Sequence, residues 1–235
     1  MVPAKWFHAG RTKPIRLIVV HCTVSKEMGT GAEAVANYFA RGDRRASAHR
    51  VCDNNSTVIC VKDEDTAFGA AGANSDGLHL ELVGMPDQSL AQWLDAYSDA
   101  ELVEAGRSVR EWSARWGVPM RWLTVAEVAD GRTRGICTHA DVSRAFPAVS
   151  TGHWDPGPNF PKDEALRIWT QEDDMPLSPE DLDSIEKRVV AALDKRGVSG
   201  SDHRDAALLA AVEALQSGGA SAAEIVDEIT RRLAG

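Results

Sequence analysis

Between Ile15 and Cys22 the chain reads IRLIVVHC, an almost unbroken apolar run rich in β-branched residues. Eight residues are short for a helix, and branching at Cβ suits a pleated strand. The run therefore predicts a buried strand, which other elements must cover. It ends at His21, so a polar, metal-competent side chain stands at the end of a stiff element.

The rest of the chain supplies the covering elements. Gly31 to Arg41 has helical spacing at Ala32, Val35, Ala36 and Phe39. Ala46 to Cys52 and Thr57 to Lys62 predict a hairpin around Asp53-Asn54-Asn55. Gly77 to Gly84 alternates, with Leu78, Leu80 and Leu82 on one face and His79, Glu81 and Val83 on the other. That pattern predicts a strand with one face on the core and one toward a cleft. Asp99 to Trp116 predicts an amphipathic helix with Leu102, Val103, Val109, Trp112 and Trp116 on its apolar side, stopped by Gly117-Val118-Pro119. Gly135 to His139 is a second short apolar run ending in histidine. Ser150 to Pro161 is a Gly- and Pro-rich loop, and Lys162 to Trp169 a closing helix. The expected class is α/β, a mixed central sheet flanked by helices.

After Gln171 the composition turns acidic and then to proline (QEDDMPLS), which places a boundary there. The expected division is a core domain over 1–172, a linker over 173–178 and a small α-helical C-terminal region over 179–235. That last region holds three short helical stretches with narrow Ala, Leu and Val faces.

Composition removes several function classes. The formal net charge is −9, and the largest basic cluster, Arg41, Arg44 and Arg45, is interrupted by Asp43. No nucleic-acid partner is expected. No stretch reaches 18 apolar residues, so no membrane span is expected. Met1 to Lys13 lacks the apolar segment of a signal peptide, which points to synthesis in the cytoplasm. Cys22, Cys52, Cys60 and Cys137 form no CxxC pair, so no sulfur-based zinc knuckle is written here. Reduced buried thiols are expected, with a Cys52–Cys60 pairing across the hairpin left open.

A catalytic zinc takes three protein ligands and keeps a fourth place for water. Residues at strand ends or in stiff loops hold such geometry. His21 and His139 each end an apolar run, and Asp155 sits in WDPGP, where two prolines limit backbone freedom. Each alone has a structural reading, and the trio together suggests a metal site.

At these residues the chain resembles the type-2 N-acetylmuramoyl-L-alanine amidases, the family of peptidoglycan recognition proteins and amidase-type phage endolysins. The matching stretches are IVVHCT at 18–23, SAHRV at 47–51, AFGAAGANSDGLHLELVG at 67–84, THADVS at 138–143 and HWDPGPNFP at 153–161. The resemblance implies an amidase-like fold and Zn2+ held by His21, His139 and Asp155. It implies Glu81 as catalytic carboxylate and His153 as the residue that steadies the oxyanion. A solvent-facing strand glutamate and a loop-orienting histidine are the alternatives for these two. The bond cut would join N-acetylmuramic acid to L-alanine in bacterial peptidoglycan.

The sequence departs from the family at two places. Ala48 stands where many members have tyrosine, and Phe68-Gly69-Ala70-Ala71 replaces Trp-His-Ala-Gly, removing a histidine. His49 reads as structural or as support for the site, and His79 as either cleft-lining or structural. His8 and His203 carry no signal. Two roles compete with a holin-released phage endolysin made in the host cytoplasm: a cytoplasmic muropeptide-recycling amidase and a non-catalytic peptidoglycan-binding module. The C-terminal helices are expected to target the wall or to self-associate.

Overall fold

In the computed structural model, which describes residues 1–150 and 152–171, the IRLIVVHC run becomes the inner strand of a sheet. A short β1 (Phe7–His8) precedes β2 (Leu17–Cys22), all six of whose residues are buried. Helix α1 (Gly31–Arg41) follows, then β3 (Arg50–Cys52), β4 (Thr57–Ile59), β5 (Thr66–Ala67) and β6 (Gly77–Leu82). Helices α2 (Leu90–Trp93), α3 (Ala96–Trp116) and α4 (Val125–Ala129) lead to β7 (Gly135–Thr138), α5 (His139–Ala145) and α6 (Lys162–Thr170). The main sheet has the order β4-β3-β6-β2-β7; β3, β6, β2 and β7 run parallel and β4 antiparallel. It is the mixed sheet flanked by helices that the sequence predicts. Strands β1 and β5 pair apart from it.

The sheet's two faces have different tasks. On one face Ile18, Val20, Leu78, Leu80, Leu82 and Ile136 pack under α3 and α6, together with the wholly buried Trp93, Trp112 and Trp169. Apolar burial on this scale, at about 25 cal/mol per Å², is the main force holding the sheet to its helices. Leu17, Val19 and Cys137 lie on the other face, against Ala70, Ala73, Val128 and Val142. His21, His79 and Glu81 share that second face, by the alternation of strand side chains.

Helix α3 begins three residues before the expected Asp99, because Asp95 caps it by accepting the Tyr97 and Ser98 N–H groups. The hairpin forms with Arg50↔Ile59 and Cys52↔Thr57 in register, with shorter strands than expected. Cys52 and Cys60 are free, like Cys22 and Cys137, and burial pushes both thiols up to about 12.

Two local expectations are corrected. The strand before His139 ends one residue earlier, at Thr138, and His139 is the first residue of α5. Thr138 caps that helix reciprocally with Asp141, and THAD carries the S/T-x-x-D/E pattern that signals such a start. The second face of β6 is not open to a cleft along its length. His79 is wholly buried, and only Glu81 reaches half-exposure. An interior strand of a parallel sheet is covered on both sides, which hides residues that alternation alone would place in solvent. The expected linker and C-terminal helices over 173–178 and 179–235 lie outside the described residues.

Candidate metal centre

His21 is held at the end of a strand paired on both sides. Across one neighbour it is in register with Glu81. Paired residues on adjacent parallel strands point to the same face, about 4.8 Å apart. On the other side β7 hands the chain to α5, so His139 emerges next to His21.

Asp155 arrives from a loop fixed at several points. Its carbonyl accepts the Ala140 N–H at 3.0 Å, tying the loop to the first turn of α5. Asn159 Nδ2 donates to the Gln88 carbonyl at 3.0 Å, and Phe160 packs edge-on against Trp93. Gly157 has φ 105°, and a Cβ there would lie 1.9 Å from the Pro86 carbonyl oxygen. Only glycine lets the loop run this close to its neighbour.

These elements bring three donor atoms together. His21 Nδ1 lies 3.1 Å from His139 Nδ1 and 3.2 Å from Asp155 Oδ2, and His139 Nδ1 lies 3.1 Å from the same oxygen. All three residues are buried. Two neutral imidazoles and a carboxylate cannot satisfy a closed triangle by hydrogen bonds alone, since the N···N edge would need a proton that also serves the oxygen. Three lone pairs turned inward suit a shared cation, and this set can hold a metal ion.

Electrostatics follows the packing. Burial alone would raise the Asp155 carboxyl, but its bonds to His139 and His21 outweigh that and hold it well below the ordinary carboxylate range. Burial lowers His139, against the opposing pull of Asp155. Glu81 is pushed up to about 8 by burial and then by the Asp155 charge, and its buried Oε2 has no hydrogen-bond partner among the described residues.

His153 is exposed at the rim. Its ring stacks on His139 with centroids 4.0 Å apart and an interplanar angle of 17°, and its Nδ1 is 3.8 Å from Asp155 Oδ1. Beside it opens a cleft of about 1270 Å³ whose walls include Leu90, Leu94, Arg144 and the half-exposed Trp154.

His49 stays out of the donor triangle. It is wholly buried, its Nδ1 accepts the His79 N–H at 2.9 Å, and burial with the nearby Arg11 charge lowers it to about 3. His79 touches His21 directly, a contact that the alternation of LHLEL hinted at by putting His79 on the Glu81 face. Ala48 is buried and carries no polar group to the site.

The profile of the family described as N-acetylmuramoyl-L-alanine amidase (Amidase_2) matches residues 11–158, more than half of the chain. The chain belongs to this amidase family. All three donors, Glu81 and His153 fall inside the matched segment. Peptidoglycan is the substrate consistent with an amidase of this family. Among solved structures, the Staphylococcus aureus hydrolase AmiA shares 19% identity at a TM-score of 0.51, over 66% of this chain and 71% of AmiA. The N-acetylmuramoyl-L-alanine amidase LysC from Clostridium intestinale shares 14% identity at a TM-score of 0.48, over 73% of this chain and 95% of LysC. The AmiA likeness supports the amidase fold. No curated protein matches the amidase in sequence. None of its described helices is long and apolar enough to cross a membrane.

Proposed function

We infer that this chain is a zinc-dependent N-acetylmuramoyl-L-alanine amidase that hydrolyses the amide between N-acetylmuramic acid and L-alanine. One observation carries the reading: His21, His139 and Asp155 converge beside the Glu81 carboxylate inside the segment that matches the family. The donor set fits zinc. Three tetrahedral ligands at 2.0–2.1 Å from one ion stand roughly 3.3–3.4 Å apart. The edges here are 3.1–3.2 Å.

Zinc held by these residues would supply Lewis-acid activation of a water and of the scissile carbonyl. Glu81 stands beside His21 on the same sheet face. In this reading it accepts the proton of the attacking water and returns it to the leaving amine. His153, at the rim, directs a ring N–H toward the charge that develops on the carbonyl oxygen. The half-exposed Trp154 and the cleft next to His153 would receive the muropeptide. Ala48 contributes no hydroxyl, so the proton work falls on Glu81 alone.

Mass spectrometry of purified sacculi treated with the zinc-loaded protein tests this. Free stem peptides are expected; release of intact muropeptides only would refute it. Zinc binding without any new amino termini would mean a binding module, and activity confined to soluble muropeptides a recycling enzyme.

The setting that goes with this reading is a phage endolysin made in the host cytoplasm and released to the wall by a holin. Loss of turbidity on co-expression with a holin, and none without it, is the expected result. Residues 1–172 would form the catalytic domain, 173–178 the linker and 179–235 a region for wall targeting or self-association. Removing residues after Thr170 should change solution mass or sacculus binding; if neither moves, both roles fail.

A further inference from the structure

Past the three donors, the same sheet face carries a second tier of imidazoles. His21 Nε2 lies 3.0 Å from His79 Nδ1. His79 is wholly buried and clamped from two sides. His49 stacks on its ring at 5.6 Å between centroids and 13° between planes. The backbone of Gly69 presses on it as well: a Cβ there would lie 2.5 Å from His79 Nδ1 and 2.6 Å from Cγ. The second ring nitrogen, Nε2, is buried without a partner among the described residues.

Counting protons assigns the contact. A neutral imidazole has one N–H and one lone pair. His21 turns Nδ1 toward His139 and Asp155; when a cation takes a lone pair there, the proton stands on Nε2. Among the described residues that N–H meets His79 Nδ1, which must then lack a proton. His79 keeps its own proton on Nε2, where no acceptor waits. A buried, unpaired N–H is unfavourable. With His21 in that state, a proton on His79 Nδ1 would set two N–H groups against each other at 3.0 Å. A metal-bound histidine needs such an outer acceptor to fix its tautomer and ring orientation.

We propose that His79 is the positioning residue for His21, holding it in the Nε2–H tautomer with Nδ1 presented to the metal, and that Gly69 lacks a side chain because any Cβ would displace that ring. The proposal rests on the zinc reading above. A neutral imidazole is a weaker acceptor than a carboxylate, so the effect is on orientation more than on ligand basicity.

The test uses the full chain. Long-range 1H–15N spectra should show His21 bound through Nδ1 and protonated at Nε2 in the zinc-loaded protein. Competition with a chelator gives zinc affinity. His79→Leu removes the acceptor and should weaken zinc binding by about 10–100-fold, while His79→Asn keeps an acceptor oxygen near the Nδ1 position and should restore most of it. Gly69→Ala leaves every polar group in place, yet should weaken zinc in the same direction and add little when His79→Leu is already present. It also serves if His79→Leu does not fold. Wild-type affinity in both His79→Leu and Gly69→Ala, or zinc-loaded wild type in which His21 binds through Nε2 and carries its proton on Nδ1, would overturn the proposal. Wild-type protein that binds no zinc would instead sink the metal reading, and this proposal with it.

Discussion

His21 and Glu81 face the same way from neighbouring strands, and substitution can separate their tasks. Glu81→Gln keeps the shape and removes the base. It should bind zinc within about threefold of wild type while kcat on a muropeptide falls by roughly 10²–10⁴. Asp155→Asn should instead lose zinc at concentrations that saturate the wild type, as followed by chelator competition, and activity with it. A glutamine variant with unchanged kcat would end the assignment of Glu81. The donors were legible in the sequence because each is a metal-competent residue at the end of an apolar run or just ahead of two prolines. His79 was less so. Period-two alternation says which face a side chain takes, but whether that face meets solvent depends on elements far along the chain. Gly69 read as the loss of a histidine, and an imidazole from β6 presses against that glycine in the fold.

At the scale of elements, two packing details set how firmly the site is held. Gly157 has no room for a side chain against the Pro86 carbonyl. Gly157→Ala should destabilise the protein by at least about 1–3 kcal/mol of backbone strain, seen in urea unfolding, and weaken zinc because the same loop carries Asp155. In α3, Glu101 is wholly buried; Oε1 accepts the Val83 N–H at 2.6 Å and Oε2 has no partner among the described residues. Burial pushes this carboxyl well above its ordinary 4.5, against the Val83 bond. The folded state therefore holds the proton more tightly than the unfolded state, so its stabilising effect is full below pH 4.5 and is lost as pH rises. Glu101→Gln keeps the acceptor without the titration, so its Tm should exceed that of wild type at pH 8 and match it near pH 4. A Tm at pH 8 equal to or below wild type would contradict this. Helix α5 shows where periodicity runs out. Seven residues are too few to establish a helical stripe, and only the Thr138 and Asp141 cap betrays its start.

Across the described molecule, α6 closes the α3 side of the sheet through Trp169, whose Nε1 donates to the Leu102 carbonyl at 3.0 Å. Trp169→Ala should cost about 3–5 kcal/mol in chemical unfolding, although the residue touches none of the donors. The layer architecture was readable because apolar runs and amphipathic helices alternate along the chain. The strand order was not, since it depends on parallel pairings between distant segments, such as β2 with both β6 and β7. That topology has a consequence for synthesis. His21 leaves the ribosome before its partner His139, which follows 118 residues later, and Asp155 comes later still. Closing so long an intervening segment is slow compared with local folding. A nascent chain therefore carries the first donor with nothing to share a cation with until the loop that bears Asp155 has been made.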